Sequence, residues 1–103
     1  MGPMERSEIS RHEVEIVRVL SGHQGKWLSN AEIGSRLQVK VAPRTIRATT
    51  LKLVKIGILD QAEVFPAHRY RLSGFAANRD RGYWDRVNRA AEVFGVDITT
   101  KVS

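Results

Sequence analysis

The sequence predicts a mainly helical α+β domain: a three-helix core, a β-hairpin and an additional C-terminal helix. Three observations lead there. Apolar residues recur at helical spacing over 7–20, 43–56 and 79–94. The capping-box pattern Ser29-Asn30-Ala31-Glu32 and a proline at position 43 mark two helix starts. Between Gly57 and Ser73 the period shortens to two extended runs around a proline-containing turn.

Residues 7–20 (SEISRHEVEIVRVL) align Ile9, Glu13, Ile16, Val17 and Leu20 on one side of a helix. Arg11, Glu15 and Arg18 fall elsewhere on the wheel, and Ser7 is the expected N-cap. Gly22 and Gly25 break the pattern, so GHQGK reads as a turn and Trp27-Leu28 as an extended stub. In the capping box the Ser29 hydroxyl accepts an orphan backbone N–H, and Glu32 reaches back to the N–H of Ser29. The helix that follows is expected from Asn30 to Leu37, burying Ala31, Ile33 and Leu37. Residues 39–42 then turn the chain.

Pro43 has the fixed φ that suits a first helical position, and Gly57 supplies the stop, so a helix is expected from Pro43 to Ile56. Ile46, Leu53 and Ile56 should be buried with Thr50 between them, while Arg44, Thr45, Arg47, Ala48 and Lys52 face outward. Ile58–Phe65 and Arg69–Leu72 are the two strands, joined by Pro66-Ala67-His68 and ended by Ser73-Gly74. The last helix, Arg79–Phe94, aligns Tyr83, Val87, Ala90, Ala91 and Phe94, with Trp84 beside them and Arg79, Arg86 and Arg89 opposite. Such a stripe packs on the first helix or pairs with a second copy; for a homodimer the dimerisation residues are Tyr83, Trp84, Val87, Ala91 and Phe94. The expected division is a disordered N-terminus or cloning remnant at 1–6, a core unit at 7–74, the C-terminal helix at 75–95 and a tail at 96–103.

Composition narrows the function classes. The chain has 103 residues and no cysteine, so disulfides, thiol catalysis and the usual zinc-finger ligands are excluded. His12, His23 and His68 are scattered without metal-ligand spacing. Glu13 and Glu32 have no nucleophile, phosphate-cradling loop or metal to work with, so neither an enzyme nor a cofactor is expected. No apolar run approaches the roughly 20 residues of a membrane span, and the first residues lack the apolar core of a signal peptide. A cytoplasmic, nucleoid-associated protein with no evident small-molecule ligand is the expectation.

Charge is the sharpest signal. Residues 36–55 carry six positive charges (Arg36, Lys40, Arg44, Arg47, Lys52, Lys55) and no acid, and the whole chain has a net charge of +6. Positive excess confined to one turn-helix segment points to a polyanionic partner. At this point the chain resembles the winged helix-turn-helix domains of bacterial transcription factors. WLSNAEIGSRLQV is similar to their first helix-turn-helix element. PRTIRATTLKLVKIGILDQ is similar to the recognition helix running into the wing, with Leu53, Gly57, Ile58 and Leu59 in the familiar pattern.

The resemblance, over about residues 8–73, implies that the chain binds double-stranded DNA as a regulator. The helix 43–56 would lie in the major groove and the hairpin 58–72 would be the wing. It places Arg44, Thr45, Arg47 and Ala48 on the base-reading face, and Arg69 and His68 at the wing tip. Lys40, Lys52 and Lys55 complete the DNA-binding set, Lys52 and Lys55 as contacts indifferent to sequence. Six to eight phosphate contacts would give a log–log salt slope of about −5 to −7. Thr50 departs from the pattern, standing where an aliphatic residue is common. Two other functions suit the same features: a DNA-binding module of a replication, partition or mobile-element protein, and a winged helix that meets an acidic protein.

Overall fold

The computed structural model describes residues 9–73 and 81–98. Its elements run α1 (Arg11–Gly22), β1 (Leu28–Ser29), α2 (Asn30–Ser35), α3 (Pro43–Lys55), β2 (Leu59–Ala62), β3 (Arg69–Leu72) and α4 (Arg81–Phe94). Ser7, Gly74, Arg79 and the tail beyond Ile98 lie outside the described residues. The N-cap of α1 is Ser10, whose hydroxyl accepts from the Glu13 N–H at 3.4 Å. The inward side of α1 is wider than its periodicity implies. Val14 and Val19 join Ile16, Val17 and Leu20 in the core, and Glu15, expected elsewhere on the wheel, is fully buried.

Both halves of the α2 capping box form: the Glu32 N–H donates to Ser29 Oγ at 3.2 Å and the Ser29 N–H to Glu32 Oε1 at 2.8 Å. The helix stops at Ser35, short of Leu37, because the Arg36 and Leu37 N–H groups bond to carbonyls three residues back and tighten the last turn. So short a helix offers the core Ile33 alone; Ala31 is exposed, against expectation, and Leu37 is half-buried. Gly34 permits the close approach of α2 to α3, since a Cβ there would meet Ile46 Cδ1 at 3.0 Å.

In α3, Pro43 opens the helix, and Ile46, Thr49, Thr50 and Leu53 form its inward face. Ile56 is 44% exposed rather than buried. The cause is the helix end, where Gly57 takes φ +86° and the Gly57 and Ile58 N–H groups return to the carbonyls of Val54 and Leu53. That reversal swings Ile58 into the core, at 1% exposure. Thr50 is fully buried, and its hydroxyl lies 3.0 Å from Asn30 Oδ1 and 3.1 Å from the Ile46 carbonyl. The polar atom at this unusual position therefore has a partner at the start of α2 as well as within its own helix.

The sheet is antiparallel in the order β1-β3-β2, with Leu28 opposite Tyr70 and the wing rungs running from Leu59–Leu72 to Ala62–Arg69. β2 ends at Ala62, three residues before the expected Phe65, so residues 63–68 project beyond the paired strands. Tyr70 and Leu72 point into the core. On the other face Arg71 stacks over the Trp27 ring at 4.3 Å and pairs with Asp60 at 3.4 Å. In α4, Tyr83, Trp84, Val87 and Ala91 are buried within the single chain against α1, and Phe94 is half-buried. The stripe singled out for dimerisation is thus intramolecular core, with almost no area of those four side chains left for a second copy.

The backbone N–H of Ser29 holds the Glu32 carboxyl below its ordinary value of 4.5; burial opposes this, and Arg69, the Ser29 hydroxyl and Arg36 assist. The unfolded chain therefore binds this proton more readily than the folded one. Its contribution to stability is complete above pH 4.5 and is lost as pH falls through the lower folded value. Ser29→Ala should lower stability by about 1 kcal/mol in urea denaturation at pH 7. Glu32→Gln should flatten the acid limb of the stability profile; an unchanged limb would show that Glu32 does not shape it.

Candidate nucleic-acid interface

With Ile46, Thr49, Thr50 and Leu53 turned inward, the 100° step of a helix puts Arg44, Ala48, Leu51 and Lys55 on the opposite ridge of α3. Arg47 flanks that ridge on one side, and Thr45 and Lys52 flank it on the other. Arg44, Arg47, Ala48, Lys52 and Lys55 are exposed, and Thr45 is half-buried. Lys40 is exposed in the turn that precedes the helix. Among the described residues, Lys40, Arg44, Arg47 and Lys55 take part in none of the ion pairs. Leu51, 45% exposed in the middle of the ridge, was not singled out from the sequence. Its signal was an apolar residue seven positions after Arg44, out of phase with the buried set.

Two of the expected cations are already engaged. Lys52 Nζ donates to Glu13 Oε1 at 2.9 Å, and the Glu13 side chain is only 5% exposed. The other oxygen of the same carboxylate accepts from the Tyr83 hydroxyl at 2.7 Å. One carboxylate on α1 therefore joins the recognition-side helix α3 to the terminal helix α4. Arg69 lies 3.9 Å from Glu32 Oε1, a long and half-exposed contact that leaves the guanidinium able to exchange partners. His68 is exposed beside it.

Glu15 does for the turn what Glu13 does for the helices. Its Oε1 accepts from the Gln38 N–H at 3.1 Å and from Arg18 Nη2 at 3.1 Å, and Arg18 donates again to the Arg36 carbonyl at 3.1 Å. The start of the turn between α2 and α3 is so tied to α1 at two points. Arg36 spends its own guanidinium on the Glu32 carbonyl at 3.0 Å. Beside α3, a shallow crevice of about 440 Å³ is lined by His12, Glu13, Arg44, Thr45 and Lys52. It lies between α1 and α3. Among the described residues, no group of histidines and carboxylates could hold a metal ion, and no helix is long and apolar enough to cross a membrane.

Solved structures share this architecture. Two variants of Lactococcus lactis ZitR superpose with TM-scores of 0.54 and 0.56 at 13% identity, over 92% of this chain and 64% of theirs. An ArsR-like transcriptional regulator from Rhodococcus sp. RHA1 superposes with a TM-score of 0.51 at 20% identity, over 85% of each chain. The fold is therefore a winged helix-turn-helix, with α2 and α3 as the helix-turn-helix and β2–β3 as the wing. The chain spans a little under two thirds of the length of the ZitR structures. No family model and no curated protein sequence matches it.

Removing the phenol from the Glu13 site tests its weight. Tyr83→Phe leaves the buried carboxylate with Lys52 alone and should cost about 1–2 kcal/mol in urea denaturation. In a double-mutant cycle with Glu13→Gln the two losses should be less than additive; full additivity would mean that the contact contributes nothing.

Proposed function

We propose that this protein binds double-stranded DNA with sequence preference and acts as a transcription regulator. In this reading α3 lies in the major groove and the wing lies over the flanking backbone. The observation that carries it is the outward side of α3, where Arg44, Arg47 and Lys55 stand exposed around Ala48 and Leu51 and, among the described residues, without acidic partners. Arginine reads guanine bidentately through O6 and N7, and lysine neutralises phosphate without regard to sequence. Arg44 and Arg47, three residues apart, reach the same groove. Lys40 and Lys55 sit at the two ends of the helix, where the phosphate walls would pass. Lys52 enters only by exchanging Glu13 for a phosphate. A fold shared with an ArsR-like transcriptional regulator supports the reading, and so does a net charge of +6.

Selection from a randomised duplex pool at about 150 mM salt, where weak non-specific binding is suppressed, is the direct test. An enriched motif supports the reading and an absence of enrichment rejects it. A single motif is the product of a monomer; an inverted repeat with half-sites about one helical turn apart is the product of a dimer.

The cations should separate by role on the selected site. Arg47→Ala should cost about 1–3 kcal/mol and relax one position of the motif. Lys55→Ala should weaken selected and random duplexes alike and reduce the salt slope by about 0.9. Glu13→Gln should do the reverse: with its competitor neutralised, Lys52 becomes free for phosphate and the slope steepens by about 0.9. A slope unchanged in Glu13→Gln would show that Lys52 does not compete between carboxylate and phosphate.

A further inference from the structure

The wing ends in an apolar tip that the fold does not use. Phe65 is 95% exposed and its neighbour Val64 is 44% exposed. Scattered surface apolar residues are ordinary, but this ring is the most exposed of the large hydrophobic side chains among the described residues and stands at the far end of a projecting hairpin. Three features hold it there. The hairpin is paired up to Ala62–Arg69, and Tyr70 and Leu72 anchor β3 in the core. On the outer face Arg71 is fixed by both Trp27 and Asp60. The segment beyond that anchored base therefore presents its ring away from the domain.

Resting on the DNA-binding reading above, we propose that Phe65 acts as a wedge, entering the minor groove beside the site read by α3 and partly unstacking one base step. The chemistry of the tip matches that surface. Residues 64–67 carry no charge, as suits the sugar walls of the groove and the faces of the bases. The chain returns through His68 and Arg69, both exposed, which can meet the phosphates on the groove rim. Glu63, on the outgoing side, accepts from Gln61 Nε2 at 3.3 Å. A polyanion is favoured over a second copy as the occupant, because a second copy brings another net charge of +6, whereas a duplex meets Arg69 beside the uncharged tip with opposite charge. Inserted apolar side chains kink duplexes, so the protein is a DNA-bending regulator and prefers a flexible pyrimidine–purine step under the wing.

The test uses the full chain and its selected duplex, with a donor and acceptor dye at the ends and 2-aminopurine placed in turn at the flanking steps. Wild type should raise end-to-end energy transfer and brighten 2-aminopurine at one step. Phe65→Ala should abolish both signals and weaken binding about tenfold, which corresponds to about 1.4 kcal/mol, while keeping the selected motif. Phe65→Trp, which retains an inserting ring, should keep the bend. Because the side chain is exposed, neither variant removes a core contact, and thermal denaturation confirms that both fold. An unchanged bend and affinity in Phe65→Ala overturns the wedge and leaves the reading of α3 standing. A concentration-dependent dimer that Phe65→Ala dissolves, with no bend in wild type, assigns the tip to a second copy instead and also overturns it. If wild type selects no duplex at all, the wedge and the DNA-binding reading fall together.

Discussion

The tertiary structure depends on two carboxylates buried in α1. Taking a carboxylate out of water is costly unless its oxygens are met by donors; among the described residues both oxygens of Glu13 are met, and of Glu15 only Oε1, its Oε2 being buried without a partner. Glu13 draws Lys52 from α3 and Tyr83 from α4. Glu15 draws the Gln38 N–H from the turn between α2 and α3 and Arg18 from its own helix. The apolar contacts around Ile16, Leu20, Leu53 and Val87 supply most of the burial, but they are tolerant of small rotations. The carboxylates are directional. Glu13 links α3 to α1 through Lys52, and Glu15 links the turn before α3 to the same helix.

That constraint divides the cations of 36–55 between the fold and its surroundings. Arg36 is occupied with the last turn of α2 and Lys52 with Glu13. Lys40, Arg44, Arg47 and Lys55 remain unpaired among the described residues. A run of positive charge with no acid in the same segment looks uniform in sequence. In three dimensions part of it is neutralised by acids from elsewhere, because long side chains reach whatever carboxylate the packing brings within about 4 Å. The remaining set is smaller: Arg44 and Lys55 on the outward ridge of α3, Arg47 beside it and Lys40 in the turn before the helix.

Most local signals appear in the structure, the N-cap of α1 excepted, which is Ser10 rather than Ser7. The capping box of Ser29 and Glu32, Pro43 at a helix start and Gly57 at a helix end all act within a few residues and appear in the structure as expected. The other errors arise at helix ends and where a neighbour in space decides. Ile56 belongs to the apolar period of α3, yet the left-handed turn at Gly57 hands its place to Ile58. Ala31 matches a helical pattern, but α2 is too short to bury more than Ile33. Glu15 was placed off the apolar side by its position on the wheel, although the apolar residues around it (Val14, Ile16, Val17) and Arg18 three positions on were a readable hint of a buried, partnered acid. Leu51 and Phe65 went unremarked because exposure is a property of what fails to cover a side chain.

By itself the sequence determined the order of the elements, the winged helix-turn-helix fold, the cationic helix and the positions of its caps. The elements and the cationic helix follow from periodicity, backbone restriction and charge, and the winged helix-turn-helix from the resemblance that their motifs carry. Only the tertiary structure decided that the aromatic stripe of α4 is spent on the chain's own core. It alone paired Lys52 with Glu13 rather than leaving it to solvent, and left Phe65 standing clear at the wing tip. The physical reason is common to all three. Burial and ion pairing are set by residues far apart in sequence that meet only once the helices have packed, and no local pattern encodes that meeting.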